Sequence, residues 1–224
     1  MSEAYAGTFD EIIGETESER RAREANGTGK KPIRFNLTAF EQIKIDTEPA
    51  YIVKGIIPRG GVVVVWGPPK CGKSFWTFDL VMHVALARSY RGRRVQQGGA
   101  VYLALEGGVG FSRRVEAWRR RHLNGHGKPV PFYLLTVPVD IIADHATLIA
   151  DIRAQTTRPP TVVTIDTLNK GLNGSESKDE DMARFIKAAE AIRAAFGCAV
   201  IIVHHCGIQG GRGRRYLCQQ TRAR

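Results

Sequence analysis

Gly67-Pro-Pro-Lys-Cys-Gly-Lys-Ser74 is a complete G-x-x-x-x-G-K-[ST] pattern, and its flanks show what it belongs to. Before it, Gly61-Val-Val-Val-Val-Trp66 is a β-branched run suited to a strand buried on both faces. After it, Phe75 to Ala87 carries apolar residues at helical spacing. Strand, glycine loop and helix in that order turn successive backbone N–H groups and a helix N-terminus toward phosphate. Gly67, Pro68, Pro69, Lys70, Cys71, Gly72, Lys73 and Ser74 would then form the cradle of a nucleoside triphosphate. Lys73 would reach the β- and γ-phosphates, and the Ser74 hydroxyl would ligate Mg²⁺. A chance glycine-rich turn would need every fixed residue type and both flanking elements to coincide.

The chain of 224 residues is long enough for one α/β domain with a full core and too short for two large ones. Its first ten residues are polar and acidic, unlike a signal peptide. No apolar run approaches the roughly 20 residues needed to cross a bilayer, so no membrane partner is expected. Cys71, Cys198, Cys206 and Cys218 include no C-x-x-C pair, and a reducing cytoplasm is the expected compartment. The net charge of +11 is unevenly spread. Residues 1–24 hold seven acids against three arginines, whereas residues 206–224 hold five arginines and no acid. Arg113, Arg114, Arg119, Arg120 and Arg121 cluster on one expected helix. Such clusters suit a polyanion such as nucleic acid, and equally a merely solvated surface.

Residues 1–31 read as a flexible charged tail, ending in the linker-like Asn26-Gly-Thr-Gly-Lys-Lys-Pro32. Residues 32–207 read as the core, in which strands and helices alternate. Further strands are expected at 100–105, 131–137, 161–166 and 199–203. Helices are expected near 111–122, near 145–155 behind an Asp144 cap, and near 180–196. This alternation implies an α/β fold, a parallel sheet with helices on both faces.

Three further positions carry chemistry. Thr161-Val-Val-Thr-Ile-Asp166 is an apolar strand ending in an acid, which suits Asp166 to hold Mg²⁺ together with Ser74; capping of the next loop is the competing role. Glu106 falls directly after the strand at 101–105, at the edge where open α/β sheets bind ligands. There it could deprotonate the water that attacks the γ-phosphate, or be an exposed loop glutamate beside Gly107-Gly108. His204 and His205 follow the last strand and could contact the γ-phosphate. Neighbours on a strand point to opposite faces, so one of the two should be structural. Their spacing with Cys206 is poor for zinc.

Together these four motifs, over about residues 35–207, resemble the RecA-like P-loop ATPases related to the plasmid RepA hexameric helicase, AAA-family ATPases of phages and mobile elements. The resemblance implies ATP and Mg²⁺ as ligands, a catalytic role for Lys73, a catalytic glutamate at Glu106, and a Walker B aspartate at Asp166. It further implies a γ-phosphate sensor at His205, with His204 as second choice. It places the histidine strand between the phosphate-loop strand and the aspartate strand. It also implies a homo-hexameric ring with single-stranded DNA passing through it; the polar loop at 168–181 stands where a DNA-facing loop would lie, and equally suits an ordinary connection. Lys170 and Lys178 are that loop's only cations, against four acids.

The pattern stops after Gly207. Residues 208–224 are a basic tail with no helix or strand periodicity, where the family has further strands and an inter-subunit arginine. The expectation is a C-terminally truncated or frame-shifted end and no stable closed ring. Two functions follow as alternatives: a DNA helicase or helicase-related replication ATPase, or a nucleotide-dependent DNA-binding module with little turnover.

Overall fold

The computed structural model describes residues 35–44, 50–106, 108–123, 127 and 129–205. The expected tails at 1–31 and 208–224 lie outside these residues, as does Cys206. The chain divides into two compact units, Met1–Thr47 and Glu48–Arg224. The described part of the first holds one 3-10 turn, Phe40–Gln42, with Leu37, Phe40 and Ile43 exposed.

In the second unit a small antiparallel pair, β1 (Tyr51–Val53) and β2 (Ile57–Pro58), precedes the main sheet. The sheet strands are β3 (Val62–Gly67), β4 (Gly99–Ala104), β5 (Phe132–Leu135), β6 (Pro160–Asp166) and β7 (Ala199–His205). They pair in the order β3-β7-β6-β4-β5, every pair parallel. The helices are α1 (Lys73–Ala85), α2 (Gly108–His122), α3 (Ile141–Gln155), α4 (Leu168–Gly171) and α5 (Asp179–Phe196).

Alternation along the strands divides the core between two faces. Ala100, Tyr102, Val162, Ala199 and Ile201 pack with α1 and α2 through Phe78, Phe111 and Trp118. Val101, Leu103, Val163, Ile165, Val200 and Ile202 pack with α3 and α5 through Ile141, Leu148, Phe185 and Ile192. Helices cover both faces, as the alternation of elements implies.

Three details differ from the sequence reading. β3 is only partly buried, and Trp66 is 54% exposed, because among the described residues β3 pairs with β7 alone. The cap of α3 is Asp140, whose carboxylate accepts from the Ile142 and Ala143 amides at 2.9 and 3.3 Å. Asp144 lies in the first turn and accepts from the Asp140 amide at 2.9 Å, so the helix begins a turn earlier than its apolar spacing suggests. The span 168–181 is not one loop either: it opens with α4, and α5 begins at Asp179.

Asp140→Ala should lower stability by about 1 kcal/mol by orphaning two amides of the first turn. Asp144→Ala, which removes one exposed bond, should cost less. Equal losses in chemical denaturation would overturn this assignment of the cap.

Candidate nucleotide site

The loop after β3 is shaped by two left-handed residues, Lys70 at φ 62° and Gly72 at φ 89°. A side chain at Gly72 would meet open space, so the dihedral and not crowding requires glycine there. At Gly67 the constraint is close approach, since an added Cβ would lie 3.2 Å from Cys71 Sγ. Lys73 opens α1 and is buried, its ammonium donating to the carbonyls of Gly67 at 2.9 Å and Pro68 at 2.8 Å. These bonds hold the charge against the backbone at the start of the loop.

Ser74, next on the helix, donates to Asp166 Oδ1 at 3.1 Å. Asp166 is 5% exposed and its carboxylate accepts side-chain hydroxyls, which is not the loop-capping arrangement. A hydroxyl and a carboxylate in contact are oxygen donors of the kind Mg²⁺ takes, so the residues fit that ion. Glu106 lies just past β4, with Oε2 3.5 Å from His205 Nε2 and 3.5 Å from Thr167 Oγ1. Pro69, Lys70, Ser74, Glu106, Arg114, Asp166 and His205 line one open cleft of about 400 Å³.

The family model described as an AAA domain matches residues 30–211. The chain belongs to that AAA-domain family. Its fold is similar to that of a KaiC-like protein from the hyperthermophilic archaeon Pyrococcus horikoshii OT3, with a TM-score of 0.50 and 16% identity over 74% of this chain and 69% of that one. The structure of the RadB recombinase also aligns, with a TM-score of 0.42 and 18% identity over 70% and 67% of the two chains. No curated protein sequence matches the chain. The fold of this AAA domain is that of a RecA-like P-loop nucleotide-binding ATPase.

Within the AAA domain the two histidines separate. Both lie inside β7, two residues beyond the strand end expected from sequence. His205 pairs in register with Gly67 and lines the cleft. His204 faces the other way, with Nδ1 3.7 Å from Glu176 Oε1 in the connection between α4 and α5. The second-choice sensor is therefore outside the cleft.

Two contributors to the AAA domain's site escape sequence reasoning. Tyr102, fully buried at the centre of β4, donates to Asp166 Oδ2 at 2.7 Å. Burial, and then the adjacent Asp166 charge, push its hydroxyl well above the usual value of 10. Arg114 stands with its guanidinium 4.0 Å from the centre of the Phe75 ring and 4.9 Å from that of Phe111. In sequence it is one arginine of a charged helix; only its position above Phe75 distinguishes it.

Tyr102→Phe leaves Asp166 Oδ2 without its donor inside the protein. Unfolding free energy should fall by about 1–3 kcal/mol. An unchanged value in urea denaturation would show that the hydroxyl does not hold the carboxylate.

Proposed function

We propose that this chain binds Mg²⁺-ATP in the cleft and hydrolyses it. The observation that carries the reading is the meeting of Lys73, Ser74, Asp166, Glu106 and His205 around one glycine loop. Loop amides from Lys70 to Ser74 would cradle the phosphates, and the Lys73 ammonium would exchange its carbonyl partners for phosphate oxygens. Ser74 and Asp166 would hold Mg²⁺, which when bound offsets the charge that develops on the phosphates. Glu106 would accept the proton of the attacking water as its oxygen bonds to the γ-phosphorus and ADP leaves. His205, within reach of the same carboxylate oxygen, would orient that water or the γ-phosphate. Arg114 above Phe75 supplies a flat cationic surface at the cleft on which a base could stack.

The finer role is a helicase-related replication ATPase of a phage or plasmid, acting on single-stranded DNA. It is supported by the order and spacing of the four motifs that resemble RepA-type ATPases. ATP turnover that rises with single-stranded DNA supports that role; DNA-independent turnover points to another use of the same site.

Lys73→Ala should abolish ATP binding or weaken it severely, measured with a fluorescent analogue. Glu106→Gln should keep binding while hydrolysis falls by roughly 10²-fold or more. Unchanged turnover in Glu106→Gln would place the base elsewhere.

A further inference from the structure

From Leu80 to Leu105 the chain has no acidic residue, and Arg88, Arg91, Arg93 and Arg94 fall inside this stretch. The sequence Tyr90-Arg-Gly-Arg93 closes a two-residue hairpin. The Tyr90 amide donates to Arg93 O at 3.1 Å, and the Arg93 amide to Tyr90 O at 2.9 Å. Both turn residues are left-handed, Arg91 at φ 48° and Gly92 at φ 75°. Asparagine, aspartate or glycine usually fills the first of these positions. Here the fold holds an arginine at the tip, against its backbone preference, with its guanidinium 5.4 Å from the Tyr90 ring centre.

The hairpin is anchored and not a loose arm. The Lys54 amide donates to Arg94 O at 3.0 Å, the Gln96 amide to Ile52 O at 2.8 Å, and Arg93 Nη1 to Lys54 O at 3.1 Å. Arg88 donates to the His122 carbonyl at 2.8 Å, which joins the hairpin to the last turn of α2 and its exposed Arg121. Lys54, Arg91, Arg93 and Arg94 are exposed, and the ion pairs among the described residues include none of these groups. The hairpin precedes β4 and Glu106 follows it, so a strand of about 20 Å separates this surface from the cleft.

We propose that this arginine hairpin is a docking surface for the sugar–phosphate backbone of duplex DNA. Guanidinium forks match phosphate oxygens in pairs, and a preformed turn presents them without ordering a flexible arm. Single strands are usually gripped by stacking bases on exposed rings, and the one ring of the hairpin, Tyr90, is 1% exposed. A membrane surface would favour an apolar side chain to insert, and the exposed hairpin residues are Ser89, Arg91, Gly92, Arg93 and Arg94. That leaves the dense, uniform charge of the double helix as the best match.

The test is equilibrium binding of the full chain to a fluorescent duplex across a salt series. Arg91→Gly combined with Arg94→Ala removes two guanidinium groups, and the glycine relieves the backbone at the tip, so the fold should persist. Affinity at 0.1 M salt should fall roughly 10- to 60-fold, and the slope of log K against log salt should shrink by about 1.8. Arg153→Ala with Lys187→Ala, two exposed cations on the helices of the opposite face, should change neither. An equal fall in that control would overturn the proposal, as would an unchanged slope in the hairpin variant with native circular dichroism. So would a loss of single-strand affinity in the hairpin variant as large as its loss of duplex affinity, or tighter binding by the unmodified chain to phosphatidylserine vesicles than to the duplex.

Discussion

The Asp166 carboxylate joins three elements that sequence keeps far apart. It accepts from Ser74 in the first turn of α1 and from Tyr102 in β4, while belonging to the end of β6. A buried carboxylate left without donors is costly, so the hydroxyls that satisfy it also fix where the phosphate-loop helix meets the sheet. Lys73 obeys the same constraint from the cationic side, its buried ammonium satisfied by the carbonyls of Gly67 and Pro68. Both charges are thus held inside the protein by neutral oxygens, which fix the geometry beside the cleft.

The parallel register distributes the remaining groups. Side chains alternate between faces, so Tyr102, Ala104 and Glu106 share one parity, and Thr164 with Asp166 shares another that register aligns with it. Ile201, Val203 and His205 follow the same rule on β7, and Gly67 sits opposite His205. All of these point toward the α1 face. His204 falls on the α5 face for the same reason, and meets Glu176 instead of the cleft. One period of two residues therefore decides which histidine lines the cleft.

The sheet also separates two kinds of charge. Its carboxyl edge gathers acids and cations in one cleft, whereas the edge before β4 carries arginines with no acid between Asp79 and Glu106 in sequence. Anchoring the arginine hairpin to β1 costs no side chain from the cleft. The two surfaces can therefore vary independently.

The nucleotide loop, the Asp166 and Glu106 strand ends and the layered α/β architecture were legible in the residues. Each is a local pattern: a fixed motif, or a run of apolar side chains ending in an acid. The AAA-domain family and the RecA-like fold follow from these patterns combined. Where reading failed, the deciding contact was not local, except at the cap of α3, where bonds two and three residues away decide it. Asp140 takes the cap from Asp144 because the chain turns into α3 one turn earlier. β3 is less buried than its valines suggest because its position in the sheet leaves one side unpaired among the described residues. Tyr102 reads as an ordinary core aromatic until β6 places a carboxylate 2.7 Å from its hydroxyl. Arg114 reads as one charge among five until α2 packs it over Phe75. Sequence alone determined the chemistry that lies along single elements. Tertiary structure decided the partners, because hydrogen bonds and ring contacts form between residues whose separation only the sheet order sets.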